Sequence, residues 1–127
     1  MWVSAPTGNL EWTDGICWPA CAQDCFAIGA ALPGRQQVHH ARCAIVDLLA
    51  VAPATSSSNA YAAGCSQLLR EAIEKANYDW QREANNLPAA MMKIFQRTGT
   101  PLLDSATGLT FRELNVAAAI DEVFDKK

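Results

Sequence analysis

PACAQDCFAIGAALPG, Pro19 to Gly34, contains only two strongly polar residues, Gln23 and Asp24, and is bounded by proline at both ends. Cys21, Cys25, Ile28 and Leu32 recur at the spacing of one helical face. Pro19 suits a first helical turn, where its missing N–H costs nothing, and Leu32-Pro33-Gly34 is a stop signal. This reading predicts a helix over 19–32. Gly29 on its flank would let a neighbouring helix approach closely.

Working outward, the next apolar pattern is Val38, Ala41, Ile45, Leu48, Leu49 and Ala52, which predicts a second helix over 35–52 that breaks at Pro53. A third, over 58–85, places Tyr61, Cys65, Leu68, Leu69, Ala72, Ile73, Ala76 and Trp80 on one side, with a serine of Ser56–Ser58 as its cap. Its other side carries Arg70–Glu74 and Glu71–Lys75 at i,i+4, a solvated charged face. Pro88 and Gly99 bracket a short helix over 88–98, with Met91, Ile94 and Phe95 inward. Thr110 and Glu113 have the spacing of a capping box for a last helix over 110–124.

The 127-residue length suffices for one domain with its own core, and 50% hydrophobic against 18% charged residues excludes a disordered chain. Alanine is abundant and alternating Val, Ile and Thr runs are missing, which favours helices. The expected fold is therefore all-α: one helical domain over 1–127, a compact antiparallel bundle of about five helices. Residues 1–15, rich in Gly, Pro and Asn, form an irregular arm packed across it.

The cysteines are the first candidates for chemistry. In an antiparallel bundle Cys25, Cys43 and Cys65 would fall in one layer, with Cys21 and His39 each one turn away. Cys21, Cys25, Cys43, Cys65 and His39 would then offer a soft-metal site for zinc or copper(I), or a Cys25–Cys65 disulfide. Packing as small apolar residues is the plainer expectation, with no cofactor. His39-His40 has no partner at a catalytic spacing, and neither a phosphate loop nor a zinc-protease motif occurs, so no catalytic residue is assigned.

The net charge of −3 and scattered basic residues argue against nucleic-acid binding, and no apolar run is long enough to span a membrane. The amino terminus lacks the charged and apolar regions of a signal peptide, so the cytoplasm is the default compartment, or an extracellular one if a signal was removed. Trp2, Trp12 and Trp18 in the arm, with Met92, are the expected contacts for a protein partner or a second copy of the chain. The expected function is a non-catalytic interaction or assembly module, such as a small adaptor, inhibitor, immunity-type or phage/virion component. The alternatives are a thiol-based metal or redox protein and a small enzyme subunit.

Overall fold

A computed structural model describes residues 1–126 and corrects the all-α expectation: the chain is a mixed α/β fold built on a six-stranded sheet. The strands are β1 (Ser4–Pro6), β2 (Phe26–Leu32), β3 (Gln37–His39), β4 (Leu48–Val51), β5 (Thr100–Leu103) and β6 (Thr110–Glu113). The helices are α1 (Thr55–Ala76), α2 (Leu87–Thr98) and α3 (Val116–Asp125), with a 3₁₀ turn at Trp80–Arg82. Strand order is β1-β2-β4-β6-β5, and β3 pairs with β2. β1, β2, β4 and β6 are mutually parallel, while β3 and β5 run antiparallel to their partners.

The two helices expected over 19–32 and 35–52 are therefore replaced by turns and strands. Residues 19–25 form consecutive turns, with Ala22 N–H donating to Pro19 O and Cys25 N–H to Ala22 O. β2 then runs through the middle of the sheet, and five consecutive residues of it, Ala27 to Ala31, are buried. A parallel strand covered on both faces has no polar side to alternate with, so it reads as a continuous apolar run. Ile28 points into the layer shared with the helices, whereas Ala31 joins the opposite face. Gly29 is small for a reason: an added Cβ would stand 2.8 Å from Leu49 Cδ2, in the adjacent strand.

The main core lies between the sheet and the helices, where Ile28, Leu48 and Ala50 meet Leu69, Ile73, Met91, Ile94, Phe95 and Val123. A smaller core on the other face gathers Ala31, Val38, Leu49, Leu102 and Phe111, with Val46 against it. The arm closes a third, made of Ala5, Ala20 and Ala27. Arg42 and Asp104, both buried, tie the β3–β4 connection to the β5–β6 hairpin through paired bonds, Nε to Oδ2 at 2.9 Å and Nη2 to Oδ1 at 3.2 Å.

Helix caps differ from expectation in an informative way. No serine caps α1. Its Thr55 N–H donates instead to Asn9 Oδ1 at 3.0 Å, from 46 residues away in the arm, and the Thr55 hydroxyl donates to the same oxygen at 2.9 Å. Thr110–Glu113 is strand rather than capping box, and Asn115 caps α3 by accepting from Ala118 N–H. Replacing Asn9 with alanine is expected to lower stability by about 1–2 kcal/mol, as for loss of an N-cap. Urea denaturation checks this, and a loss under about 0.3 kcal/mol would show that the arm does not hold the helix.

Candidate functional site

In parallel sheets ligands ordinarily bind beyond the carboxyl ends of the strands. Here the chain fills that end itself. Asn9 occupies the start of α1, His39 Nε2 lies 3.0 Å from Ala52 O, and His40 Nε2 lies 3.0 Å from Pro53 O. The two imidazoles pack with centroids 4.0 Å apart. His40 Nδ1 stands 2.8 Å from Glu11 Oε1 but off the line of a hydrogen bond, while both Glu11 oxygens accept the His40 backbone N–H. Burial chiefly depresses the His39 pKa, the Ala52 carbonyl partly opposing it. These histidines hold loops and do not face a nucleophile.

The opposite, amino-terminal ends of the strands are open. Two adjoining lobes, ≈ 410 and ≈ 420 Å³, share Ala44, Val46, Asp47 and Gln96 and together make a groove. One lobe continues past Cys21 and Cys25, the other past Arg112 and Phe111.

Asp47 stands at the centre because it precedes β4 and joins it to β2. Its N–H donates to Ala27 O at 3.0 Å, and its Oδ2 accepts Ala27 N–H at 2.8 Å. Burial pushes the Asp47 carboxyl above the ordinary carboxylate range, and the Ala27 N–H only partly offsets this. Gln96, from α2, donates to the Asp47 backbone carbonyl at 3.0 Å and keeps its own amide oxygen for other partners. A half-buried acid with a perturbed pKa in a groove is a recognised mark of a binding site.

The two arginines of the groove differ in availability. Arg97 is committed to Glu83 Oε1 at 2.9 Å and Glu122 Oε1 at 2.7 Å, and these partners raise its pKa further. Arg112 is exposed, donates only to Gly99 O at 3.3 Å, and has no carboxylate at ion-pair distance among the described residues.

The expected thiol layer does not assemble. Cys65 is buried in the main core and Cys25 lies beside the arm's core. Cys43 sits in the β3–β4 connection, and His39 is at the other end of the strands. All five cysteines are free, so the Cys25–Cys65 disulfide is not formed. Among the described residues no three His, Cys, Asp or Glu side chains are arranged to hold a metal ion, so the expected set of Cys21, Cys25, Cys43, Cys65 and His39 is not assembled. Of the expected ligands, Cys21 and Cys25 share one lobe of the groove.

The expected partner residues also divide. Met92 is 4% exposed and belongs to the core, and Trp2 packs against Phe26 and Phe95. Trp12 and Trp18 remain open, Trp18 at 80% exposure and two residues before groove-lining Ala20. The sequence reading missed Asp47, Gln96 and Arg112. The available signal was Asp47 itself, a lone carboxylate inside the apolar run AIVDLLAVA. No helix is long and apolar enough to cross a membrane among the described residues. No protein-family model matches the chain, and neither a curated protein nor a solved structure is significantly similar to it.

Proposed function

We propose that the protein is a non-catalytic interaction domain whose groove at Asp47 and Gln96 receives an extended, acidic segment of a partner protein. The observation that carries this reading is Arg112, an exposed guanidinium on the wall of that groove with no carboxylate partner among the described residues. A guanidinium offers the planar fork that a carboxylate side chain matches. An extended backbone presents N–H donors at regular intervals, which suits the remaining Asp47 oxygen and the Gln96 amide oxygen as acceptors.

Two lobes in series favour a chain segment over a compact ligand, which would need only one. Exposed Ile45 on one lobe and Trp18 close by supply apolar anchors of the kind that dominate interface energetics. Against catalysis, burial first, then the charges of Asp47 and Cys21, hold the Cys25 thiol above its ordinary pKa and so in its less nucleophilic form. The histidines, at the other end of the strands, offer it no base.

Selection of a displayed peptide library on the immobilised full chain tests this. Acidic peptides should be enriched, and Arg112→Glu should weaken them at least about tenfold, equivalent to about 1.4 kcal/mol. Trp18→Ala should weaken them as well. No enriched sequence, or equal affinity for the wild type and Arg112→Glu, would overturn the proposal.

A further inference from the structure

We propose that Cys21 and Cys25 form a redox-modifiable dithiol on the groove wall, closed to a disulfide by a low-molecular-weight disulfide of the glutathione type. The two thiols are the only cysteines lining a common cavity among those described. Residues 19–25 belong to neither helix nor strand; they form two successive turns, 19–22 and 22–25, with Cys21 in the first and Cys25 closing the second, and both thiols line one lobe of the groove. A disulfide requires Cα atoms about 4.4–6.8 Å apart, a separation that a short coiled segment can adjust to without disturbing the sheet.

The remaining thiols are excluded by position. Cys65 is buried between α1 and the sheet, and Cys17 Sγ is packed against Gly8. Cys43 belongs to a different connection and lines neither lobe of the groove.

Exposure assigns the order of events. Cys21 is exposed and Cys25 half-buried, so Cys21 meets the oxidant first. Its thiolate attacks one sulfur of the small disulfide RSSR; that S–S bond breaks, RS⁻ leaves, and Cys21 carries the mixed disulfide. Cys25 then releases its proton, attacks Cys21 Sγ and expels the second RS⁻. The two protein thiols lose two electrons and two protons, and RSSR is reduced to two RSH.

The test is exposure of the full reduced chain to oxidised glutathione, followed by intact mass and peptide mapping. The wild type should lose about 2 Da and yield a 21–25 disulfide. Cys25→Ser should stop at a glutathione adduct on Cys21, and in Cys21→Ser the Cys25 thiol should be modified at least about tenfold more slowly than Cys21 in the wild type. The same reactions in urea, where all thiols are exposed, should lose that rate difference, which separates local reactivity from misfolding. A disulfide mapped to any other pair, or equal rates for both single variants in the folded state, would overturn the assignment. The reaction involves no protein partner, so its outcome is independent of the peptide-binding proposal.

Discussion

Asp104→Ala is expected to lower the unfolding free energy by about 3 kcal/mol, the lower end for breaking a buried ion pair, because the exposed Glu11 carboxylate, 3.5 Å from Arg42, still partly opposes its charge. Arg42 and Asp104 have side chains only 8% and 5% exposed, and their bonds are bidentate. The carboxylate also accepts from the Thr107 hydroxyl at 2.8 Å and the Ala106 N–H at 3.3 Å. Arg42 donates as well to His40 O, at 3.1 Å, so one pair holds the hairpin loop and the β3–β4 connection. For a domain whose whole stability is about 5–15 kcal/mol, the loss would be a large fraction of it. Urea denaturation should show this, and Arg42→Leu/Asp104→Leu should cost less than the sum of its single substitutions, since no charge is stranded. A loss below about 1 kcal/mol for Asp104→Ala would mean that the pair behaves as a surface salt bridge.

The same residue gives the pH dependence a definite sign. Burial alone would raise the Asp104 pKa, but hydrogen bonds from Arg42 and Thr107 and the Arg42 charge outweigh it, and the pKa is depressed. A carboxyl lowered on folding contributes stability that is present above its unfolded value, about 3.9, and is lost as pH falls through the folded one. The stability gap between the wild type and Asp104→Asn should therefore be full at neutral pH and narrow below about pH 4. Asp47 acts in the opposite sense. Its carboxyl is raised by burial, so its contribution is present below the ordinary carboxylate pKa and is lost as pH rises through the raised one.

What was legible in the sequence follows from which faces are wet. α1 and α2 each bury one side and expose the other, so the helical period survives in Leu69, Ala72, Ile73 and Ala76 and in Met91, Ile94 and Phe95. β2 and β4 are buried on both sides, which erases the two-residue period. Their alanines also favour helix intrinsically, and only the sheet environment overrides that preference. Cys25 and Ile28 fall at helical spacing although they belong to a turn and a strand. The candidate groove was hidden for a related reason: Asp47, Gln96 and Arg112 are distant in sequence and meet only because β4 and β6 are neighbours and α2 packs over their ends. With the bundle went the thiol layer, because the registers that aligned Cys25, Cys43 and Cys65 were those of helices that do not form.

Phe95→Ala should destabilise the protein by about 3–5 kcal/mol, the range for emptying a fully buried aromatic site. Phe95 is completely buried on α2, and its ring meets Trp2 edge-on at 6.0 Å, while Trp2 packs on Phe26 at 4.7 Å. One side chain thus joins the helix layer, the entry to β1 and the start of β2, so the cavity could not collapse without moving all three. The Trp2 contact is what makes the experiment specific to this fold, because an inward Phe95 is equally expected of a helical bundle. A double-mutant cycle of Trp2→Leu and Phe95→Leu should yield a coupling of about 0.5–1.5 kcal/mol, as for aromatic pairs in contact. In Phe95→Leu the near-UV circular dichroism should lose the part contributed by the packed Trp2 indole and keep that of Trp80, the other tryptophan against the main core. Additive substitutions with an unchanged near-UV spectrum would place Trp2 away from Phe95, and the arm would then not be joined to the core through this aromatic chain.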